Sequence, residues 1–181
     1  ALPISVASLL QERVPRALPR LMAPLGVAAL PNDRRERFTA VTRDMVPGEQ
    51  ALQPTQLLSN GRYSVALRAN GAGWSRFEGV DITRWRDDAL RDAHGSFLYM
   101  RRQPHLPPVS LTQHPAPDGD AHYQATFHSD RVHLDAQWPD MRTRCTVWVS
   151  PEDDIELRQI ELWNTSSQSI SLELMSMFEV C

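Results

Sequence analysis

The feature that most constrains this chain is a two-residue alternation of apolar and polar side chains that begins near Leu57. Residues 63–69 alternate in this way between two Asn-Gly turns, and residues 123–127 and 132–138 alternate around a Ser-Asp turn. Because successive side chains of a strand point to opposite faces, this period predicts strands with one buried face. The two segments around the Ser-Asp turn are predicted to form a hairpin. Seven or more such strands, with no helical pattern between them, predict an all-β fold of antiparallel sheets packed as a sandwich.

One strand carries a break in this period. Ile155 and Leu157 share one phase of the alternation, whereas Ile160 and Leu162 require the opposite phase. A single extra residue in a strand restores the register by letting two residues face one partner. We therefore predict a β-bulge near Arg158-Gln159.

Residues 1–55 follow a different pattern. Val6, Leu9 and Val14 have helical spacing, and the prolines that follow interrupt any sustained period. We predict a connector over residues 1–55, made of a short helix and a Pro-rich linker, and a sandwich domain over residues 56–181. The chain stops within an alternating run, so we expect the sandwich to be incomplete at its C-terminus and its open sheet edges to promote self-association.

Composition excludes several classes of function. The formal net charge of −3 offers no basic excess for a nucleic-acid partner. The histidines lack the spacing of zinc ligands, and the serines lack the context of a nucleophile elbow. We predict no catalytic residue, no metal site and no cofactor within the chain. The cysteines, Cys145 and Cys181, are expected to be buried free thiols, because they could pair only if their strands met.

A first candidate site lies in the sequence Asn70-Gly-Ala-Gly-Trp-Ser75. Glycines let a backbone approach a ligand closely, and an indole offers a flat apolar surface to the C–H face of a sugar. We therefore take Gly73, Trp74, Ser75 and Arg76 as candidate substrate-binding residues. The same sequence also fits a tight hairpin with a tryptophan in the core.

A second candidate site lies in the charged segment that follows, at residues 83–88. The candidates there are Arg84, Trp85 and Asp87, because a guanidinium or carboxylate can hydrogen-bond sugar hydroxyls. Internal Arg–Asp pairing that shapes a loop explains the segment equally well. Paired aspartates also suggest a glycosidase, but adjacent aspartates in a loop are too common to support that function.

Several sequence blocks resemble a known family. The block Gln56-Leu-Leu-Ser-Asn-Gly-Arg-Tyr-Ser64, followed by residues 71–76, resembles the start of the family 94 glycoside phosphorylase-like module, in the form found in cyclic β-1,2-glucan synthases. Further blocks that resemble this module, or the connector preceding it, are residues 9–15, 80–88, 95–101, 122–127 and 149–158. The resemblance therefore covers most of the chain in order.

The resemblance implies a supersandwich related to galactose-mutarotase-like folds, placed before an (α/α)6 barrel that holds the catalytic acid and the phosphate-binding residues. It implies a non-catalytic module that supports a barrel controlling glucan chain length, with β-glucan or oligosaccharide as ligand and a possible homodimer. The parent protein would use UDP-glucose and inorganic phosphate as substrates, at the cytoplasmic face of a bacterial inner membrane.

Two alternatives remain open at this point. The module could belong to a free-standing phosphorylase that acts on cellobiose, chitobiose or β-1,2-oligoglucans. It could also be a stand-alone carbohydrate-binding or structural sandwich, although such a domain is expected to end on a finished strand.

Overall fold

The computed structural model describes residues 41–48, 53–86 and 94–181, so the predicted short helix and most of the linker lie outside the described residues. The described residues contain strands and no helix. The strands are β1 (Arg43–Met45), β2 (Thr55–Ser59), β3 (Tyr63–Arg68), β4 (Gly73–Phe77), β5 (Val80–Asp81), β6 (Ser96–Arg101), β7 (Val109–Ser110), β8 (His122–Phe127), β9 (Arg131–Gln137), β10 (Met141–Val149), β11 (Glu156–Asn164) and β12 (Glu173–Phe178).

These strands form three antiparallel sheets. The five-stranded sheet has the order β1-β8-β9-β10-β11, the four-stranded sheet β2-β3-β4-β5, and the three-stranded sheet β12-β6-β7. The predicted all-β sandwich is confirmed. The predicted hairpin is confirmed too, because β8 pairs with β9 from His122↔Gln137 to Phe127↔Val132.

The inner face of the five-stranded sheet carries most of the core. Alternation along β9 turns Val132, Leu134 and Ala136 inward, where each is almost fully buried. One core cluster joins this face to Leu58, Val65 and Leu67 of the four-stranded sheet, and a second joins it to Met100 and Leu111 beside the three-stranded sheet. Burial of each large side chain contributes roughly 1.5–3 kcal/mol, so this face provides much of the stability.

The predicted bulge at Arg158-Gln159 is wrong. β11 pairs with β10 residue by residue, from Val149↔Glu156 to Met141↔Asn164, without an extra residue in either strand. The alternation breaks for another reason, because β11 has β10 as its one partner among the described strands and has apolar side chains on both faces. Ile160 packs against the core, whereas Leu157 lies on the outer face opposite Trp148.

Strand β1 lies inside residues 1–55, the predicted connector, and pairs with β8 from Arg43↔Phe127 to Met45↔Ala125. The domain boundary at residue 56 stays a prediction. At the other end of the chain, β12 pairs with β6, and an isolated bridge between Thr83 and Val180 joins the segments that follow β5 and β12.

Both cysteines are free thiols, as expected. Cys145 is buried in β10, in agreement with the prediction, but Cys181 is exposed, which contradicts it.

Candidate functional site

The outer face of the four-stranded sheet brings several of the candidate residues together. Trp74 and Arg76 alternate along β4, opposite Ala66 and Ser64 of β3, so both side chains lie on this face. The guanidinium carbon of Arg76 lies 4.3 Å from the centroid of the Trp74 ring. Trp74 is therefore a partly exposed residue of the outer face and not a core tryptophan.

A second tryptophan is held by a second arginine of the same face. Arg68 lies two residues beyond Ala66 on β3, so it points to the same side as Trp74. Its guanidinium carbon is 4.9 Å from the centroid of the Trp85 ring, and the Trp85 ring also meets His94 edge-on at 6.4 Å. We call the set formed by Arg68, Trp74, Arg76 and Trp85 the tryptophan face.

Gly73 has a structural role in the backbone. It is buried, and its N–H donates to the carbonyl oxygen of His94 at 2.9 Å. A Cβ at this position would lie 2.0 Å from the carbonyl oxygen of Ala66. Strands β3 and β4 therefore approach each other too closely at this point for any side chain.

Ser75 points away from the tryptophan face. Its hydroxyl is buried between the sheets and donates to Oε2 of Glu156 at 2.6 Å, and its backbone N–H donates to the hydroxyl of Thr83 at 2.9 Å. The alternation of β4 explains this orientation, since Ser75 lies between the two outward residues Trp74 and Arg76.

The two remaining candidates lie apart from this arrangement. Arg84 is exposed; its backbone N–H donates to the carbonyl oxygen of Glu179 at 3.0 Å, and its guanidinium lies 3.4 Å from the Glu179 carboxylate. Arg84 therefore holds Glu179 beside the segment that carries Trp85. Asp87 lies outside the described residues.

The tryptophan face has the chemistry of a sugar-contacting surface. A guanidinium over an indole contributes about 0.5–1 kcal/mol at an exposed site, so each stack limits the rotation of both side chains. The indoles provide flat apolar surfaces, and the guanidinium edges provide donors for hydroxyl groups. Asp81 pairs with Arg76 across β4 and β5 and fixes its orientation.

A buried polar cluster on the inner side was not predicted from the sequence. Arg158 donates to the Glu156 carboxylate at 2.6 Å and to the carbonyl oxygen of Ser96 at 2.5 Å. Together with Ser75 and Tyr63, the pair lines a cavity of about 500 Å3. Burial, and then the charge of Glu156, raise the pKa of the Tyr63 hydroxyl, so it stays protonated. This cluster was missed because the predicted bulge placed Ile155 and Leu157 on the buried face. In the continuous β11, Glu156 and Arg158 point inward instead.

Two further observations concern the described residues alone. They contain no group of three or more histidine, cysteine or acidic side chains arranged to hold a metal ion. They also contain no helix that could span a membrane.

The chain is similar to a known protein family and to a known protein. The family model of the glycosyl hydrolase 94 supersandwich domain matches residues 41–181. The chain is also 30% identical over 171 residues to the cyclic beta-(1,2)-glucan synthase NdvB of Rhizobium meliloti (strain 1021). That match covers 94% of this chain and 6% of the relative, so the chain spans a small part of the length of the synthase.

Proposed function

This chain belongs to the glycosyl hydrolase 94 supersandwich family, and from that premise we propose that it is a non-catalytic, carbohydrate-contacting module of a larger β-glucan-processing enzyme. The observation that carries the proposal is the tryptophan face. Two indoles each stack with an arginine of one outer sheet face, and they present flat apolar surfaces beside hydrogen-bond donors.

The proposed enzyme is a cyclic β-1,2-glucan synthase. The match to the relative of that name extends beyond residues 41–181 into the upstream connector, which favours the synthase over a free-standing phosphorylase. In this proposal a following (α/α)6 barrel holds the catalytic groups and controls glucan chain length. The whole enzyme uses UDP-glucose and inorganic phosphate at the cytoplasmic face of the inner membrane, and the module supports the barrel and dimer contacts.

The role of the module follows from what its residues can do. Gly73 and Ser75 fix the backbone and the inner side of β4, so that Trp74 and Arg76 are held rigidly on the outer side. A rigid platform loses little conformational entropy when a sugar binds. The tryptophan face would therefore guide a glucan chain without reacting with it.

The test is a calorimetric titration of the chain with cyclic and linear β-1,2-glucans, with cellobiose as the control sugar. Trp74→Ala and Trp85→Ala are expected to weaken glucan binding about fivefold each, which corresponds to about 1 kcal/mol. Arg76→Lys keeps the charge but loses the flat guanidinium, so we expect a smaller loss.

The matched control is Val80→Ala. Val80 is an exposed apolar residue of the same sheet, and its side chain points to the face opposite that of Arg76 and Asp81. Equal affinities of the wild-type chain, Trp74→Ala and Trp85→Ala would contradict the proposed sugar contact. A purely structural module would show no saturable heat with any of the glucans.

A further inference from the structure

The outer face of the five-stranded sheet carries one row of side chains that crosses four strands. His122 lies opposite Gln137, Gln137 opposite Arg142, and Arg142 opposite Trp163. Residues opposite each other in antiparallel strands point to the same face, so these four side chains form a line about 14 Å long. We call this line the outer row.

The side chains of the outer row are available to a ligand. All four residues are exposed, and Trp163 is 39% exposed although its ring is large. Among the residues that the structure describes, the side chains of His122 and Gln137 have no hydrogen-bond partner, and neither does that of the neighbouring Gln124. The row therefore offers imidazole and amide groups that no internal contact uses.

The charged groups of the row are held in fixed positions. Asp135 lies beside the row, largely buried, and accepts hydrogen bonds from Nε and Nη2 of Arg144 at 2.9 and 3.1 Å. The guanidinium of Arg142 lies 3.4 Å from the same carboxylate and 5.3 Å from the centroid of the Trp163 ring. Two planar guanidinium groups are thus oriented before any ligand arrives, which lowers the entropic cost of binding.

Three members of the outer row, His122, Gln137 and Arg142, line a depression in the sheet surface, and Trp163 lies outside its lining. The volume of the depression is about 360 Å3, within the range of small-ligand sites. The lining residues that provide polar groups include His122, Gln124, Asp135, Gln137, Arg142 and Arg144.

The charge balance decides which ligand class fits. Arg142 and Arg144 are offset by Asp135 and Glu161, which lies opposite Arg144 on β11. A polyanion needs a cationic excess, which this face lacks. A protein partner needs an apolar interface centre with few charges, whereas Asp135, Arg142 and Arg144 line the depression. A neutral, hydroxyl-rich chain suits planar donors and acceptors that end in one exposed indole.

We propose that the outer row is a second saccharide-binding site, which holds a linear segment of a neutral glucan across strands β8 to β11 with one sugar ring on the indole of Trp163. The choice of glucan rests on the proposed function. The site itself is separate from the tryptophan face, because the two lie on different sheets.

The experiment is an amide and indole NMR titration of the 15N-labelled chain with linear β-1,2-glucan oligosaccharides. We expect saturable shifts at Gln137, Arg142 and the indole N–H of Trp163. Trp163→Ala and Gln137→Ala should each raise the dissociation constant at this site at least fivefold, and Trp163→Phe should raise it less. Leu157→Ala, on the same face of the same strand, is the matched control and should leave it unchanged.

The outcomes separate this site from the proposed function. Shifts confined to Trp74, Arg76 and Trp85 would overturn the second site and leave the tryptophan face intact. Shifts confined to the outer row would support the second site and contradict sugar binding at the tryptophan face. An unperturbed spectrum at millimolar oligosaccharide would reject both.

The ligand class has its own test in the same spectra. Dextran sulfate serves as a polyanionic probe, and sodium chloride is raised in steps. Because the charges of the row balance, we expect glucan binding to change little with salt and to exceed binding of dextran sulfate. Tighter, salt-sensitive binding of dextran sulfate at the row would overturn the assignment to neutral glucan.

Discussion

Strands β9 and β12 both carry apolar side chains, yet they lie in very different surroundings. The three inward residues of β9 are almost fully buried, because the four-stranded and three-stranded sheets cover them. All six residues of β12 are exposed, and Phe178 keeps 57% of its surface accessible. A strand gains stability from its apolar residues only where a second layer covers them.

This contrast implies an uneven distribution of stability. The interior of the five-stranded sheet is expected to unfold only with the whole molecule, whereas β12 is expected to open locally at a lower free energy. Three changes test that difference, beginning with the largest expected effect.

Truncation of one phenylalanine in each region gives the most direct test. Phe127 is 1% exposed within the core cluster of the five-stranded sheet. Phe127→Ala should lower the free energy of unfolding by about 3–5 kcal/mol, because it leaves a cavity. Phe178→Ala should lower it by less than about 1 kcal/mol, since this side chain is already exposed. Urea titrations of both variants measure the difference, and equal losses would show that β12 is as well packed as β9.

The ion pair at the start of β11 tests the boundary between the two regions. Glu156 and Arg158 keep only 10% and 16% of their side chains exposed, and the cavity that they line also includes Phe178. Glu156→Ala leaves the Arg158 charge without its partner, and we expect a loss of about 2–3 kcal/mol. The control is Asp130→Ala, which breaks an exposed pair with Arg131 and should cost less than about 1 kcal/mol.

A double mutant provides the decisive comparison for that pair. Because Arg158→Met removes the remaining charge, the free energy of unfolding of Glu156→Ala/Arg158→Met should exceed that of Glu156→Ala alone. Additive losses in chemical denaturation would mean that the two charges are stabilised by solvent and not by each other.

The smallest expected effect is the pH dependence that arises from the buried thiol. Burial raises the pKa of the Cys145 thiol to about 11, whereas Cys181 is exposed. The folded chain therefore keeps the Cys145 proton at pH values where an unfolded thiol, with a pKa of about 8.5, loses it. Stability from this group is complete below the unfolded pKa and decreases as the pH rises toward 11, with a loss of about 1.4 kcal/mol by pH 9.5.

The measurement is the free energy of unfolding in urea at several pH values between 8 and 11. The variant Cys145→Ala should show a shallower decrease, because its remaining slope comes from other groups such as the tyrosines. A thiol reagent at pH 8 should label Cys181 in the native chain and reach Cys145 only after unfolding. Rapid native labelling of both cysteines would show that the five-stranded sheet opens as easily as the chain end.

The sequence predicted those parts of the fold that depend on neighbouring residues. Strands β3, β8 and β9 each alternate between recognisable turns, so their buried faces follow from local spacing alone. The sequence did not determine which face of β11 is buried, because apolar residues on both sides of a strand are compatible with two registers. Only the pairing with β10 chooses between them.

The candidate sites also differ in whether local spacing alone determines them. That Trp74 and Arg76 share a face follows from their spacing in one strand, and the inward turn of Ser75 follows from the same alternation. The stack of Arg68 on Trp85 joins β3 to the segment that follows β5, and the outer row joins residues of four strands. Such neighbours depend on how separate parts of the chain pair, which a single sequence without a known pairing does not specify.

The pairing of β12 with β6 has a consequence for the order of folding. Strands β8, β9 and β10 each pair with the next strand along the chain through a short turn, so all three closures are local. The partner residues Arg101 and Glu173 are separated by 72 positions, and closing so long a loop costs entropy before any contact compensates for it. The four consecutive strands are therefore expected to form first. β12 then docks last, onto a β6 that the earlier strands already hold in place.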